Sequence, residues 1–122
     1  MKKLLLILLC LPLMSLAQQT YVPDDNFEQE LINLGYDNVL DDYVLTANIN
    51  TVDSLFVDNL NIADLTGIED FTALTYLDCY NNQLTSLDVS NNTALYWLFC
   101  NSNQLTSLDV SQNTALHHLT CA

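Results

Sequence analysis

Apolar positions in the second half of the chain recur on a fixed frame. From Leu74 to Ala94 the sequence reads LTYLDCYNNQLTSLDVSNNTA, and from Leu95 to Ala115 it reads LYWLFCNSNQLTSLDVSQNTA. Each block has 21 residues, and a third copy, LHHLTCA, starts at Leu116. At the head of each block Leu and Cys alternate with polar or aromatic residues, the period of two that marks a strand with one buried side. A fixed repeat of this length predicts a solenoid, in which every repeat is one coil stacked on the last.

The segment Val52–Ala73 is a longer first coil of 22 residues, VDSLFVDNLNIADLTGIEDFTA. It places Val52 on Leu74, Leu55 on Leu77, Val57 on Cys79, Ile62 on Leu84 and Leu65 on Leu87. Ahead of it, residues 18–51 do not repeat. Asp25 and Glu28 have the spacing of a capping box, with Pro23 just upstream. Phe27, Leu31 and Leu34 then fall on one helical face, and Gly35 fits the position after the helix end. This predicts a short helix that caps the solenoid, because the first coil would otherwise expose its core side chains. Val44, Leu45 and Ile49 read as a degenerate half-coil joining that cap to the repeats.

Two motifs carry a family resemblance. Leu74-x-x-Leu77-x-Cys79-x-x-Asn82-x-Leu84 and Leu95-x-x-Leu98-x-Cys100-x-x-Asn103-x-Leu105 resemble the leucine-rich-repeat signature. The first coil, with its LTGIEDFTAL return, resembles internalin-type repeats, and the 21-residue coils resemble short repeats of bacterial secreted surface proteins. The stretch VPDDNFEQELINLGYD is similar to the capping segment ahead of such repeats. The resemblance implies a leucine-rich-repeat solenoid with a parallel strand face, irregular or extended return segments and a short helical N-terminal cap. It also implies binding of a protein or other ligand, since the family binds many kinds. An asparagine of the signature bonds turn backbone in such repeats. Leu60 stands at that position in the first coil, so the ladder begins at the second coil or Asn59 or Asn61 takes its place.

Strand alternation sorts the side chains. Leu55, Leu77, Leu98 and Leu119 form one inward column, and Val57, Cys79, Cys100 and Cys121 the next. The second half of each coil adds Leu84, Leu87 and Val89, then Leu105, Leu108 and Val110. Parallel strands lie about 4.8 Å apart, whereas a disulfide wants Cβ atoms about 3.8 Å apart. The three repeat cysteines are therefore expected as buried free thiols acting as small hydrophobes. Facing outward are Ser54, Tyr76, Trp97 and His118, then Phe56, Asp78, Phe99 and Thr120, then Asp58, Tyr80 and Asn101.

Charge changes the picture of what such a surface meets. The chain has fifteen Asp and Glu against two basic residues, Lys2 and Lys3. Those two open a leader: a basic start, an apolar run from Leu4 to Leu13, and Ser15-Leu16-Ala17 as a small-x-small cleavage site. The apolar run is too short to span a bilayer. The expected divisions are a signal peptide over 1–17, an N-terminal cap over 18–51 and repeats over 52–122, with coils 52–73, 74–94, 95–115 and a partial 116–122. After cleavage no Lys or Arg remains, so the product is secreted or held at the cell surface with a surface that repels nucleic acid and anionic membranes.

Candidate chemistry is sparse. Asp37, Asn38, Asp41 and Asp42 offer oxygen ligands for calcium, but the spacing matches no EF-hand loop, and solvated turn residues are the plainer reading. Zinc could use Cys121 with His117 or His118, but His118 and Cys121 fall on opposite sides of the strand, and no metal is expected. Asp88 and Asp109 stand in register on the return half, beside Thr85, Ser86, Thr106 and Ser107. No nucleophile triad, phosphate loop, HExxH or CxxC is present, so no enzyme and no cofactor is expected. The expected ligand site is the strand face: Phe56, Tyr76, Asp78, Tyr80, Trp97, Phe99 and His118. Rings there either bind a partner or stabilise the sheet by about 0.2–1 kcal/mol per cross-strand pair. A protein or peptide is the expected ligand, with a glycan as the second class. The competing expectation is a structural spacer or display segment of a larger surface protein. A chain ending at Ala122 is expected to fray at its last coil or to self-associate end to end.

Overall fold

The computed structural model describes residues 17–122. The leader with Lys2, Lys3 and the apolar run Leu4–Leu13 lies outside the described residues. Four three-residue strands form the repeat sheet: β3 (Ser54–Phe56), β4 (Tyr76–Asp78), β5 (Trp97–Phe99) and β6 (His118–Thr120). All three pairings are parallel, in the order β3-β4-β5-β6. The register follows the repeat: Leu55 lies beside Leu77, Leu77 beside Leu98, and Leu98 beside Leu119. The ladder runs on past the short strands, since Val57 N–H donates to Asp78 O, Asn59 N–H to Tyr80 O and Cys79 N–H to Phe99 O.

Inside the coils, Leu55, Val57, Ile62, Leu74, Leu77, Cys79, Leu84, Val89, Leu95 and Leu98 are fully buried. Each such side chain is worth about 1.5–3 kcal/mol of burial. The inward columns hold through β5 and fail at β6. Leu119 is 39% exposed and Cys121 is exposed rather than buried. The cause is position: β6 is the edge strand, and no further coil covers its inward side among the described residues.

Two asparagine ladders hold the turns. Asn82 Oδ1 accepts the N–H groups of Leu60 and Ile62, and its Nδ2 donates to Val57 O and Cys79 O. The first ladder thus begins at the second coil, and Asn82 serves the turn in which Leu60 replaces an asparagine. Asn103 repeats the pattern with Leu84 N–H, Cys79 O and Cys100 O. Asn59 and Asn61 play another part: both take positive φ, at 57° and 56°, which asparagine tolerates better than most residues. The second ladder lies in the return half. Asn92 Nδ2 donates to Ile68 O and Phe71 O, and Asn113 Nδ2 to Val89 O and Asn92 O.

The N-terminal segment covers the first coil with more than a helix. Strand β1 (Gln19–Tyr21) pairs antiparallel with β2 (Tyr43–Leu45). Helix α1 (Asp25–Asn33) lies between them in sequence, and a short helix α2 (Thr46–Ile49) follows β2. Val44 and Ile49 are buried as expected of core residues, but Leu45 is 40% exposed. The expected half-coil is therefore a hairpin-like sheet with its own antiparallel pairing. The start of α1 also differs. Its N-cap is Asp24, whose carboxylate accepts the N–H groups of Asn26 and Phe27. Asp25 lies inside the helix, and Glu28 is fully buried instead of boxing the cap.

The far end of α1 closes as a Schellman motif. Tyr36 N–H donates to Leu31 O and Gly35 N–H to Ile32 O, with Gly35 at φ 86°. Phe27 and Leu31 face the core, but Leu34, the third residue of the expected face, is 42% exposed. As the C-cap residue it sits where the chain already turns away. Docking onto the first coil is close. A Cβ on Gly67 would meet Val22 Cγ2 at 2.8 Å and Tyr21 O at 3.0 Å. Thr20 Oγ1 hydrogen-bonds Asp70 Oδ2 at 2.7 Å and Thr46 Oγ1 at 2.7 Å.

Candidate functional site

The parallel register lines up the outward residues of β3 to β6 on one side of the sheet. Ser54, Tyr76, Trp97 and His118 are neighbours across the strands, as are Phe56, Asp78, Phe99 and Thr120. The rings make one connected cluster. Tyr76 lies 5.1 Å from Phe56, 5.9 Å from Trp97 and 5.5 Å from Phe99, centroid to centroid. His118 stacks on Trp97 at 5.6 Å with an 11° interplanar angle. Phe56 is 53% exposed and Trp97 37% exposed, while Tyr76 and Phe99 are half-buried.

Of the expected face residues, six meet here and one stands aside. Tyr80 is exposed and makes none of these ring contacts. A residue outside the expectation joins the cluster. Tyr96, just before β5, meets Trp97 edge to face at 4.4 Å and stacks on His117 at 4.5 Å. Its signal was in the same repeat, because Thr75, Tyr96 and His117 share one register position. Strand alternation assigned that position to neither column, since it precedes the strand.

Asp78 sits among the rings. Phe56 and Phe99 flank it across the strands, and Tyr76 precedes it on the same side of β4. Its Oδ1 accepts the Tyr80 N–H at 3.0 Å, the one hydrogen bond to this carboxylate among the described residues. Burial beside the rings pushes its pKa up, and the nearby Asp58 carboxylate adds to the rise against the lowering by that N–H. The described residues contain no Lys or Arg, so no such cation neutralises the face from within.

The other acidic positions turn on their own backbone. Asp88 and Asp109 are held below the ordinary range by the hydroxyl and N–H of Ser90 and Ser111. Asp88 Oδ1 accepts Ser90 Oγ at 2.6 Å and Ser90 N at 3.0 Å. In the Asp37–Asp42 segment, Asp37 accepts from Asn38 N–H and Asp41 from Tyr43 N–H. Carboxylate oxygens of Glu28, Asp37 and Asp41 approach within 4.8 Å of one another. Both Glu28 oxygens are engaged, by the N–H groups of Asp41 at 2.8 Å and Asp42 at 2.9 Å. That buried acid, absent from the sequence-level cluster, organises the loop around itself.

Parallel strands in sequence register, leucines inward and asparagine-held turns define a leucine-rich-repeat solenoid. The chain is homologous to Internalin J of Listeria monocytogenes serotype 4b (strain F2365), at 44% identity over 72 residues, or 59% of this chain and 8% of that protein. Among solved structures it is similar to the functional domain of InlJ from Listeria monocytogenes, which includes a cysteine ladder: TM-score 0.76, 39% identity, 88% of this chain and 25% of that one. It is also similar to the internalin InlF from Listeria monocytogenes strain 4b F2365: TM-score 0.74, 25% identity, 80% of this chain and 29% of that one. The chain thus spans less than a third of the length of each of these relatives. No family model matches. No helix among the described residues is long and apolar enough to cross a membrane.

Proposed function

We propose that the chain is an exported binding module whose strand face takes a protein ligand. One observation carries the reading: Phe56, Tyr76, Trp97 and Phe99 form a connected ring cluster on the side of the sheet that the core does not use. Large aromatic side chains dominate binding energy at protein interfaces because they bury much area at little entropic cost. The homology to an internalin supports a binding role over a catalytic one. Export rests on the leader with Lys2, Lys3 and its small-x-small site.

The test is partner capture by the immobilised protein from the surface it meets, followed by double substitution Trp97→Ala and Phe99→Ala. Capture is expected to disappear while cooperative unfolding persists, because neither side chain belongs to the buried columns. Capture unchanged by the double variant would move the site off the strand face. A chain that serves only as a spacer would capture nothing discrete.

A further inference from the structure

We infer that the strand face recognises a cationic side chain, arginine above all, presented by a basic protein segment and seated at Asp78 against the ring cluster of Phe56, Tyr76 and Phe99. This rests on the strand-face reading and names the chemistry of its ligand. Three observations support it. The first is placement: Asp78 lies in register beside Phe56 and Phe99, and the Tyr76 ring links the two phenyl rings at 5.1 Å and 5.5 Å. A ring face is electron-rich and attracts a cation that passes over it. A carboxylate at the same spot supplies the full charge and a hydrogen-bond acceptor. A planar guanidinium uses both at once, which an ammonium does less well.

The second observation is charge complementarity. The face carries Asp58 and Asp78 with no Lys or Arg among the described residues. Among the described residues His117 and His118 are the only basic side chains beside the cluster, and both stack on rings. The third is the state of Asp78. Its carboxylate is half-buried and receives a single backbone N–H. Burial and Asp58 together raise its pKa, the mark of a charge that lacks a partner. An incoming guanidinium supplies that partner. A neutral ligand would leave the carboxylate desolvated and unpaired, which disfavours binding.

Trp97 is the single tryptophan of the chain, so its fluorescence reports directly on this face. The probes are synthetic peptides alternating Arg and Ser, with matched Lys and Gln versions, titrated into the purified protein. The Arg peptide is expected to change Trp97 emission saturably, the Lys peptide more weakly, and the Gln peptide not at all. Asp78→Asn should weaken the Arg peptide at least roughly tenfold, as loss of a specifically paired charge does. Asp109→Asn removes the same charge far along the return half and should change affinity less than about twofold, as a screened remote charge does. Asp58→Asn, at the rim of the site, should fall between them and serves as the second variant if Asp78→Asn unfolds.

Equal losses from Asp78→Asn and Asp109→Asn would overturn the inference in favour of bulk charge attraction. So would a Gln peptide or a neutral oligosaccharide that changes Trp97 emission as strongly as the Arg peptide. That last result would keep the strand face as the site and discard only its cationic ligand. Saturable Arg-peptide binding that leaves Trp97 emission untouched would discard both.

Discussion

Asp24 Oδ2 accepts the backbone N–H of Ala63 at 2.9 Å, across 39 residues of sequence. The same oxygen accepts Asp64 N–H at 3.1 Å, while Oδ1 caps α1 through Asn26 and Phe27. One carboxylate therefore starts the helix and fastens it to the turn of the first coil. Asp24→Ala loses a helix cap, worth about 0.5–2 kcal/mol, and frees two further N–H groups. A total loss of roughly 2–4 kcal/mol is expected in urea unfolding. Asp25→Ala, one residue on and exposed, should cost little. Equal effects from the two variants would mean that neither the cap nor the bonds to Ala63 and Asp64 contribute.

Glu28 gives the same segment a pH dependence. Burial raises its pKa, with Asp37 and Asp41 adding to the rise against the N–H bonds of Asp41 and Asp42. The folded protein then holds this proton more tightly than the unfolded chain does. Its contribution favours folding most below the ordinary carboxylate value and diminishes as pH rises through the raised folded value. The urea midpoint should therefore climb as pH falls from neutral toward the ordinary carboxylate range, and climb less in Glu28→Gln. At neutral pH that variant should also lose roughly 1–3 kcal/mol, because its amide NH2 would face a backbone donor. A midpoint that moves with pH by the same amount in both proteins would assign the slope to other carboxylates.

The repeats were legible in the sequence because each inward position is specified several times over. Leu55, Leu77 and Leu98 differ in neighbours but share a column, so one register explains all three. The N-terminal segment appears once and offered no such check. There Asp24 and Asp25 are equally good caps by residue type, and only the turn at Ala63 selects Asp24. The pairing of β1 with β2 depends on residues over twenty apart with three positions each, too short for alternation to reveal. Asn92 and Asn113 were visible as a repeat, yet their role needed the carbonyls of Ile68, Phe71 and Val89 to be placed. At the candidate site, the outward columns were readable from period two. Tyr96 and the isolation of Tyr80 were not, because both lie at strand ends where alternation loosens.

The two rungs of the first asparagine ladder are unequal, and that inequality is measurable. Asn82 accepts two N–H groups where Asn103 accepts one, and Asn82 is the more buried. Asn82→Ala should cost roughly 2–5 kcal/mol by leaving buried donors and carbonyls short of partners. Asn103→Ala should cost less, since water reaches that end of the solenoid more easily. Asn82→Asp keeps the acceptor but buries a charge against the carbonyls of Val57 and Cys79, so it should be no better than alanine. Chemical unfolding of the three variants checks the order, and a variant at Asn103 more damaging than one at Asn82 would contradict it.

The three repeat cysteines stand one register position apart but differ sharply in reach. Cys79 and Cys100 are buried and Cys121 is exposed, all as free thiols. Burial pushes the Cys79 thiol well up, and pushes Cys100 up to about 11. At that value a neutral solution holds about one hundredth of the thiolate of an ordinary cysteine, and the packed coils block the reagent as well. Of these three, brief iodoacetamide treatment of the folded protein should therefore alkylate only Cys121, with Cys100 next and Cys79 last as denaturant is added. Peptide mass mapping reads the order directly. Early labelling of Cys79 would show that the second coil opens before the edge of the sheet, against the packing seen around Leu77 and Leu98.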